Sequence, residues 1–397
     1  MKRTTCIAML LAGGEGKRLA PFTGQLPKPA VSFGCHGRIV DFPLSNCANS
    51  RIGKVGVLTQ YKAETLHAYI AGGEAWRGPN LREGGIDLLP SFAPGQQGYS
   101  GTADAIYRNI AYVDAHYPEN VLVLSADHVY RMDYRPLLDE HVRSGASVTI
   151  VGKKVAWKEA SRFGIMATDG QGRITEFEEK PVRPRSNLAS LGIYVFRWAD
   201  LRRYLMEDAS APDSSHDFGK DLIPRLLTAG EAVYAHSFEG YWKDVGTIDS
   251  LWESHMDLLD GEISLHSAEW PIFSSAGFHH AGPDRQIERT LVAPGCRIDG
   301  SIARSVVSAG TRVGQDSEIA DSVVMARASI GAHARITRAI IGEGAIIEDY
   351  AVIGSRHGAI AVVAPGERVG GASRIVTSLR PGNGRSVAYA VSTSTGS

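Results

Sequence analysis

Short apolar runs punctuate the first 245 residues, with helical patterns between them. Ile7–Leu11, Val55–Leu58, Val121–Leu124, Val148–Val151 and Ile193–Phe196 read as strands. The segment GTADAIYRNIAYVDAHY places Ile106, Ile110 and Val113 on one helical face, with Thr102 as the expected N-cap. TIDSLWESHMDLLDG carries Leu251, His255, Leu258 and Leu259 at helical spacing and ends at Gly261, which predicts a helix closing a first domain. Such alternation predicts an α/β domain whose mostly parallel sheet is covered by helices. From Val307 the period changes. Val313, Ile319, Val324, Ile330, Ile336, Ile341, Ile347 and Val352 follow at intervals of six or five. Three steps make 17 residues, as Val307, Val324 and Ile341 show. Neither a helix nor an alternating strand has that repeat. A chain that turns a corner every five or six residues, burying one aliphatic per side, does have it: a triangular β-helix with about three coils here. The expected division is a first domain over 1–261, a linker over 262–290, a β-helix over 291–370 and a Gly/Ser/Thr-rich tail over 371–397.

The first strand runs into LLAGGEGKRL, where Gly13, Gly14 and Gly16 precede Lys17 and Arg18. Open α/β sheets place ligands at such carboxyl ends. Two phosphate-loop templates fail on spacing. A Walker A motif would need glycine at Leu11 and Ser or Thr at Arg18, and a dinucleotide fingerprint started at Gly14 would need glycine at Leu19. What remains is a loop whose backbone N–H groups can approach an anion, followed by two cations. A tight strand-to-helix turn with solvated Lys and Arg has the same sequence. Overall charge does not separate the two readings, because 42 Lys plus Arg face 43 Asp plus Glu. That balance does argue against nucleic-acid and membrane partners, so phosphate chemistry has to be local. Cys6, Cys35, Cys47 and Cys296 lack C-x-x-C spacing and predict reduced thiols. With no apolar run of 18 residues and no signal-peptide pattern, a soluble cytoplasmic protein is expected.

Two carboxylates have the right surroundings for a metal. Asp127 follows the 121–124 run in SADHVYRMDY, and Asp244 lies in GYWKDVGT between apolar neighbours. Convergence of two acids beside a polyphosphate is what Mg²⁺ requires, since it takes few protein oxygens and completes its shell with phosphate and water. Each Asp alone also suits a cap or a turn. Lys28 stands between two prolines in LPKPA, which stiffen the backbone that aims its ammonium. Lys180 follows two glutamates in FEEKP and has surface salt bridges as its alternative.

Taken together, GGEGKRL, KPA, GRIVDFPLSNCANS, LTQY, GYSGTADAIYRN, SADHVYRMDY, FEEKP, LASLGIYVF and YWKDVGTIDSLWESHMDLL resemble bacterial glucose-1-phosphate adenylyltransferases. The resemblance runs to about residue 370. GGxGxRL with KP indicates only a sugar nucleotidyltransferase, whereas DFPLSNCANS, SGTADA and YWKDVGT are more specific. The resemblance implies a Rossmann-like nucleotidyltransferase domain with a mostly parallel sheet, followed by a C-terminal left-handed parallel β-helix. It implies the reaction of ATP with α-glucose 1-phosphate to ADP-glucose and diphosphate, for α-glucan synthesis, with Mg²⁺ as cofactor and a homotetramer as the assembly. Arg18, Lys28 and Asp127 would carry catalysis, with Asp127 and Asp244 holding the metal. Leu11, Gly13, Gly14, Gly16, Gln60, Gly101 and Thr102 would line the nucleotide site. Tyr99, Gly164, Glu179, Lys180 and Ser190 would contact the sugar phosphate. Some positions depart from the family. Gln25 and Leu26 stand where regulated members carry cations for sugar-bisphosphate activators, and Arg374, Arg380 and Arg385 make no clear match in the tail. Lys17 replaces a common Thr, and Cys35-His36 interrupts a common glycine pair. Rival readings are a relative using UTP, dTTP or GTP, a non-catalytic regulatory subunit, and a β-helix acyltransferase relying on His333.

Overall fold

The computed structural model describes residues 4–77, 85–90, 98–275, 285–287 and 289–375. These form two compact units. The first comprises the described residues within 1–14, 43–126 and 131–240; the second comprises those within 15–42, 127–130 and 241–397.

In the first unit all five predicted strands form. The sheet order runs Ile174–Glu179, Gly164–Thr168, Leu188–Arg197, Pro118–Ser125, Thr4–Leu11, Lys54–Thr59, Gly85–Pro90, and Val148–Lys154 pairs with both Leu188–Arg197 and Val233–Ser237. Pairing is parallel from Pro118–Ser125 through Gly85–Pro90 and again between Val148–Lys154 and Val233–Ser237, while Leu188–Arg197 runs antiparallel to its neighbours. Ile7, Met9, Val121, Val123, Tyr194, Phe196 and Phe218 fill the core. The register Leu11↔Leu58 and Leu11↔Ser125 brings three parallel strands to one carboxyl edge. The predicted 102–117 helix breaks in two, Thr102–Tyr107 and Ile110–Ala115. Asn109 sits at the break, its side-chain amide donating to the Ala105 carbonyl and the Tyr99 hydroxyl, a local bond that competes with the helix ladder. Thr102 is not the N-cap. Gly101 takes that place, and the Thr102 hydroxyl donates to Asp217 instead.

In the second unit Ile248–Leu259 forms the predicted helix, started by a Thr247–Ser250 capping box. Leu251, His255, Leu258 and Leu259 are all buried. This helix shares a core with Leu19, Phe22, Phe33, Val129 and Val245, and with Val306, Val323 and Ile340 of the β-helix. Ile263, Leu265 and Ile272, within the 262–290 segment, pack there too. Three parallel sheets of strands two to three residues long make the β-helix. Its ladder of Val307, Val324 and Ile341, with the equivalent series on the other two sides, is buried as the period predicts. Two details differ from that reading. Ile353, paired with Ile336, points inward where Val352 was expected, because the step from Ile347 takes six residues, as it does from Val313 to Ile319 and from Ile330 to Ile336. Among the described residues the coils number five rather than about three. The strands Thr290–Val292, Arg297–Ile298 and Ser301–Ala303 begin the stack, and Ala361–Val363, Arg368–Val369 and Arg374–Ile375 end it. Residues 376–397 of the expected tail, with Arg380 and Arg385, lie outside the described residues.

Candidate active site

Four of the predicted charged residues, Arg18, Lys28, Asp127 and Asp244, meet in the second unit. The strand His128–Tyr130 pairs antiparallel with Trp242–Asp244, and the register Asp244↔His128 sets Asp127 and Asp244 side by side. Lys28 begins a 3₁₀ turn, Lys28–Ala30, entered from the extended Pro27. Its Nζ donates to Asp127 Oδ2 at 2.8 Å and to Asp244 Oδ1 at 2.7 Å. Lys28 is 5% exposed, an extreme value for lysine and one that requires paired charge. Burial alone would lower its pKa, but the two carboxylates outweigh burial and raise it. Asp244 is shifted the other way: against the cost of burial, Lys28 and then His128 hold its carboxyl below the usual range, while Asp127 opposes them.

One donor atom each from Asp127, His128 and Asp244 lies within 4.8 Å of the others. A set dominated by carboxylate oxygens suits a hard divalent cation, and the Lys28 ammonium seated between the two acids marks the centre of negative potential. His128 packs edge-on against Trp242, with ring centroids 4.9 Å apart, and its buried Nδ1 has no hydrogen-bond partner among the described residues. Two glycines make the cluster this tight. Gly16, at φ +67°, would place a Cβ 2.8 Å from the Lys28 Cβ, and its carbonyl accepts from the Thr23 hydroxyl. A Cβ on Gly246 would lie 2.9 Å from Asp244 Oδ1, 3.0 Å from Arg18 Nη2 and 3.3 Å from Lys28 Nζ. The exposed Arg18 therefore belongs to the same group. His128 and Gly246 were missed by sequence reasoning; the one signal for them was adjacency to Asp127 and Asp244.

The remaining predicted residues lie in the first unit. Leu11 ends the first strand, Gly13 lies against Gln60, and Gly14 is exposed with open space around it. Gln60 brackets the Tyr99 backbone, accepting from its N–H at 3.1 Å and donating to its carbonyl at 3.4 Å. Tyr99 is fixed further by Asn109, which donates to its hydroxyl at 3.0 Å. Gly164 pairs with Glu179 across two antiparallel strands. Glu179 Oε2 sits where a Cβ on Gly219 would come within 2.6 Å, and its other oxygen meets the exposed Lys180 ammonium at 2.9 Å. Lys180 itself has φ +49°. Ser190 is buried and bonds with Tyr194, whose pKa rises through burial. Thr102, Asp217 and Gly219 complete this group through hydrogen bonds, and the latter two had no sequence signal of their own. Gln25 is exposed, and Leu26 packs on the second unit's apolar core, which a cation could not do without burying its charge. No helix among the described residues is long and apolar enough to cross a membrane.

Residues 7–261 match the nucleotidyl transferase family, and residues 275–359 match the GlmU-like C-terminal hexapeptide family. The hexapeptide match and the three parallel sheets agree with the expected left-handed β-helix. The chain is 50% identical over 359 residues to a glucose-1-phosphate adenylyltransferase of Bacillus cereus (strain Q1), covering 89% of this chain and 95% of that relative. It is 48% identical over 362 residues to the protein of that name from Bacillus cytotoxicus, covering 89% of this chain and 96% of the relative. The Bacillus anthracis protein of that name is 50% identical over the same 89%. Nucleotidyl transferases of this kind generally use a divalent metal, in keeping with the paired carboxylates. With one family model spanning well over half its length, and relatives sharing about half their residues along nearly all of it, the chain belongs to the nucleotidyl transferase family, among the glucose-1-phosphate adenylyltransferases.

Proposed function

We propose that the chain joins ATP and α-glucose 1-phosphate to give ADP-glucose and diphosphate, with Mg²⁺ as the metal, supplying the glucosyl donor for α-glucan synthesis. The Lys28–Asp127–Asp244 cluster, a buried ammonium between two half-buried carboxylates, carries this reading. A phosphate oxygen of the sugar attacks the α-phosphorus of ATP in line; the new P–O bond forms as the bond to the β-phosphate oxygen breaks, and diphosphate leaves. The nucleophile is already an anion, so no general base is needed. Positioning and charge neutralisation supply the rate. Arg18 and Lys28 hold the triphosphate and the departing diphosphate, and the backbone of Gly13, Gly14 and Gly16 serves the nucleotide. Lys28 suits the task because its carboxylate partners keep it protonated despite burial. Held by Asp127 and Asp244, Mg²⁺ would supply further neutralisation of phosphate charge. Leu11, Gln60, Gly101 and Thr102 line the nucleotide. Lys180 clamps the sugar phosphate, while Tyr99, Gly164, Glu179 and Ser190 shape the glucose site.

A homotetramer in the cytoplasm belongs to the same proposal, by family resemblance; four free cysteines suit a reducing compartment. The half-buried Leu26 and the neutral Gln25 support indifference to sugar bisphosphates. The test is diphosphate release from purified protein with Mg²⁺ and glucose 1-phosphate, comparing ATP, UTP, dTTP and GTP, each with and without fructose 1,6-bisphosphate. ATP is expected to exceed the others at least about tenfold, with no response to the bisphosphate. Preference for another nucleotide would reassign the donor, and no release with any of the four would favour a non-catalytic subunit.

A further inference from the structure

A single loop of the first unit touches both groups of predicted substrate residues. The helix Trp198–Ala209 carries Asp208, 2% exposed, whose carboxylate accepts from Ser214 Oγ at 2.7 Å and His216 Nδ1 at 2.8 Å and faces Arg225 at 3.6 Å. Two donors and a nearby cation are what a buried carboxylate needs. Anchored there, His216 adopts φ +55°, a left-handed conformation that costs energy for a residue with a Cβ unless its surroundings impose it. In this conformation the His216 carbonyl accepts from the N–H groups of Ala103 at 2.8 Å and Asp104 at 3.4 Å, donors that the first helical turn would otherwise leave unpaired. It also presses on Gly101, where a Cβ would lie 2.2 Å from the His216 oxygen. One residue on, Asp217 Oδ2 accepts from the Thr102 hydroxyl at 3.0 Å, and Oδ1 accepts from the N–H groups of Gly219 at 2.9 Å and Lys220 at 3.1 Å. Gly219 lies directly against Glu179.

We infer that His216, locked by Asp208, is a positioning residue that couples the Gly101–Thr102 segment to the Glu179 segment, so that each substrate, once bound, orders the site for the other. The inference rests on the proposed assignment of nucleotide to the first segment and sugar phosphate to the second. Asp217 ties Thr102 to Gly219 directly, and His216 adds a second link: Asp208 fixes it by its side chain while the contacts to Gly101, Ala103 and Asp104 come from its backbone. Loss of the Nδ1 bond therefore loosens the backbone next to the Asp217 link.

The test measures dissociation constants for glucose 1-phosphate with and without α,β-methylene-ATP, Mg²⁺ present throughout. In the wild type the analogue is expected to tighten glucose 1-phosphate at least about fivefold. His216→Gly keeps access to positive φ but lacks the donor. Its coupling factor should fall to within about twofold of one while each ligand alone changes less than about threefold. His216→Asn tolerates the same φ and offers an amide N–H near the Nδ1 position, so coupling should return. Full coupling in His216→Gly, or weaker binding of both ligands with the factor unchanged, would overturn the inference and leave His216 a merely structural residue. Wild-type protein that binds both ligands without coupling would also overturn it. Wild-type protein that binds neither would instead overturn the functional reading itself.

Discussion

Around Lys28 the second unit sets an ammonium, itself nearly out of water, between two half-buried carboxylates at 2.7 and 2.8 Å; around Glu179 the first unit leaves its lysine, Lys180, with 63% of its side chain exposed. Removing one member of the first set strands a buried charge, which costs several kcal/mol. The Glu179–Lys180 pair contributes less than about 1 kcal/mol as it stands, and its lysine is free to turn toward an incoming anion. One region is assembled in advance by charge. The other is held by backbone and contour, through Gly101, Gly219 and the strained His216, and keeps its cation in reserve. A phosphoryl-transfer centre gains from the first arrangement, because fixed charges need no reorganisation during reaction. A sugar-phosphate subsite gains from the second, because a partly solvated cation can close on its ligand.

The largest effect is expected where this charge arrangement is broken. Asp127→Asn should lower turnover at least about a hundredfold with the fold intact, since it removes both a proposed metal ligand and a partner of Lys28. Turnover within a few-fold of wild type would remove Asp127 from the centre. The next comparison sets one glycine against another. Gly246→Ala drives a methyl into Asp244, Arg18 and Lys28 and should cost about thirtyfold in kcat. Gly219→Ala presses on Glu179 and should raise the KM for glucose 1-phosphate about tenfold with kcat nearly unchanged, as should Lys180→Ala. If Gly246→Ala moved only KM, or Gly219→Ala or Lys180→Ala mainly kcat, the division between a charge centre and a binding contour would be wrong.

How much of this was legible in the sequence follows the same division. Strands such as Pro118–Ser125 and the 17-residue coil could be read because burial imposes its period on the chain itself. The end coils escaped because their steps lengthen or shorten and because Val292, Ile298 and Ile302 are only half-buried, which loosens the demand for an aliphatic residue. Asp127 stood out because it follows a strand at the carboxyl edge, Lys28 because prolines flank it, and Asp244 because its neighbours are apolar. Thr102 was misread because its hydroxyl, suited to capping its own helix, is taken by Asp217, 115 residues away in sequence. Gly246, Gly219 and the Asp208–His216 pair act through close tertiary approach, which leaves no local period or composition to detect.

The smallest expected effect concerns stability, and each unit contributes one buried histidine to it. In the second unit, His255 Nδ1 donates to the Leu251 carbonyl at 2.8 Å, and its Nε2 accepts from the Gly34 N–H at 3.1 Å. The neutral ring satisfies both bonds; a second proton would aim N–H at N–H. Burial accordingly pushes its pKa down to about 4, and burial, aided by Arg197, does the same to His141 in the first unit. Unfolded, each would protonate near 6.5. Between those values the unfolded chain binds more protons than the folded one, so stability is full above about pH 6.5 and falls as pH drops toward 4. At pH 5 each histidine should cost about 2 kcal/mol relative to pH 7.5. Urea unfolding of His255→Gln at the two pH values should show the acid-dependent loss in the second unit reduced by about that amount, with the first unit's loss, carried by His141, unchanged. If the second unit's loss between the two pH values persists in full, His255 is not its source. The Lys28 cluster could not supply it either, because Asp244 is held below the usual carboxylate range and its contribution is lost only at lower pH.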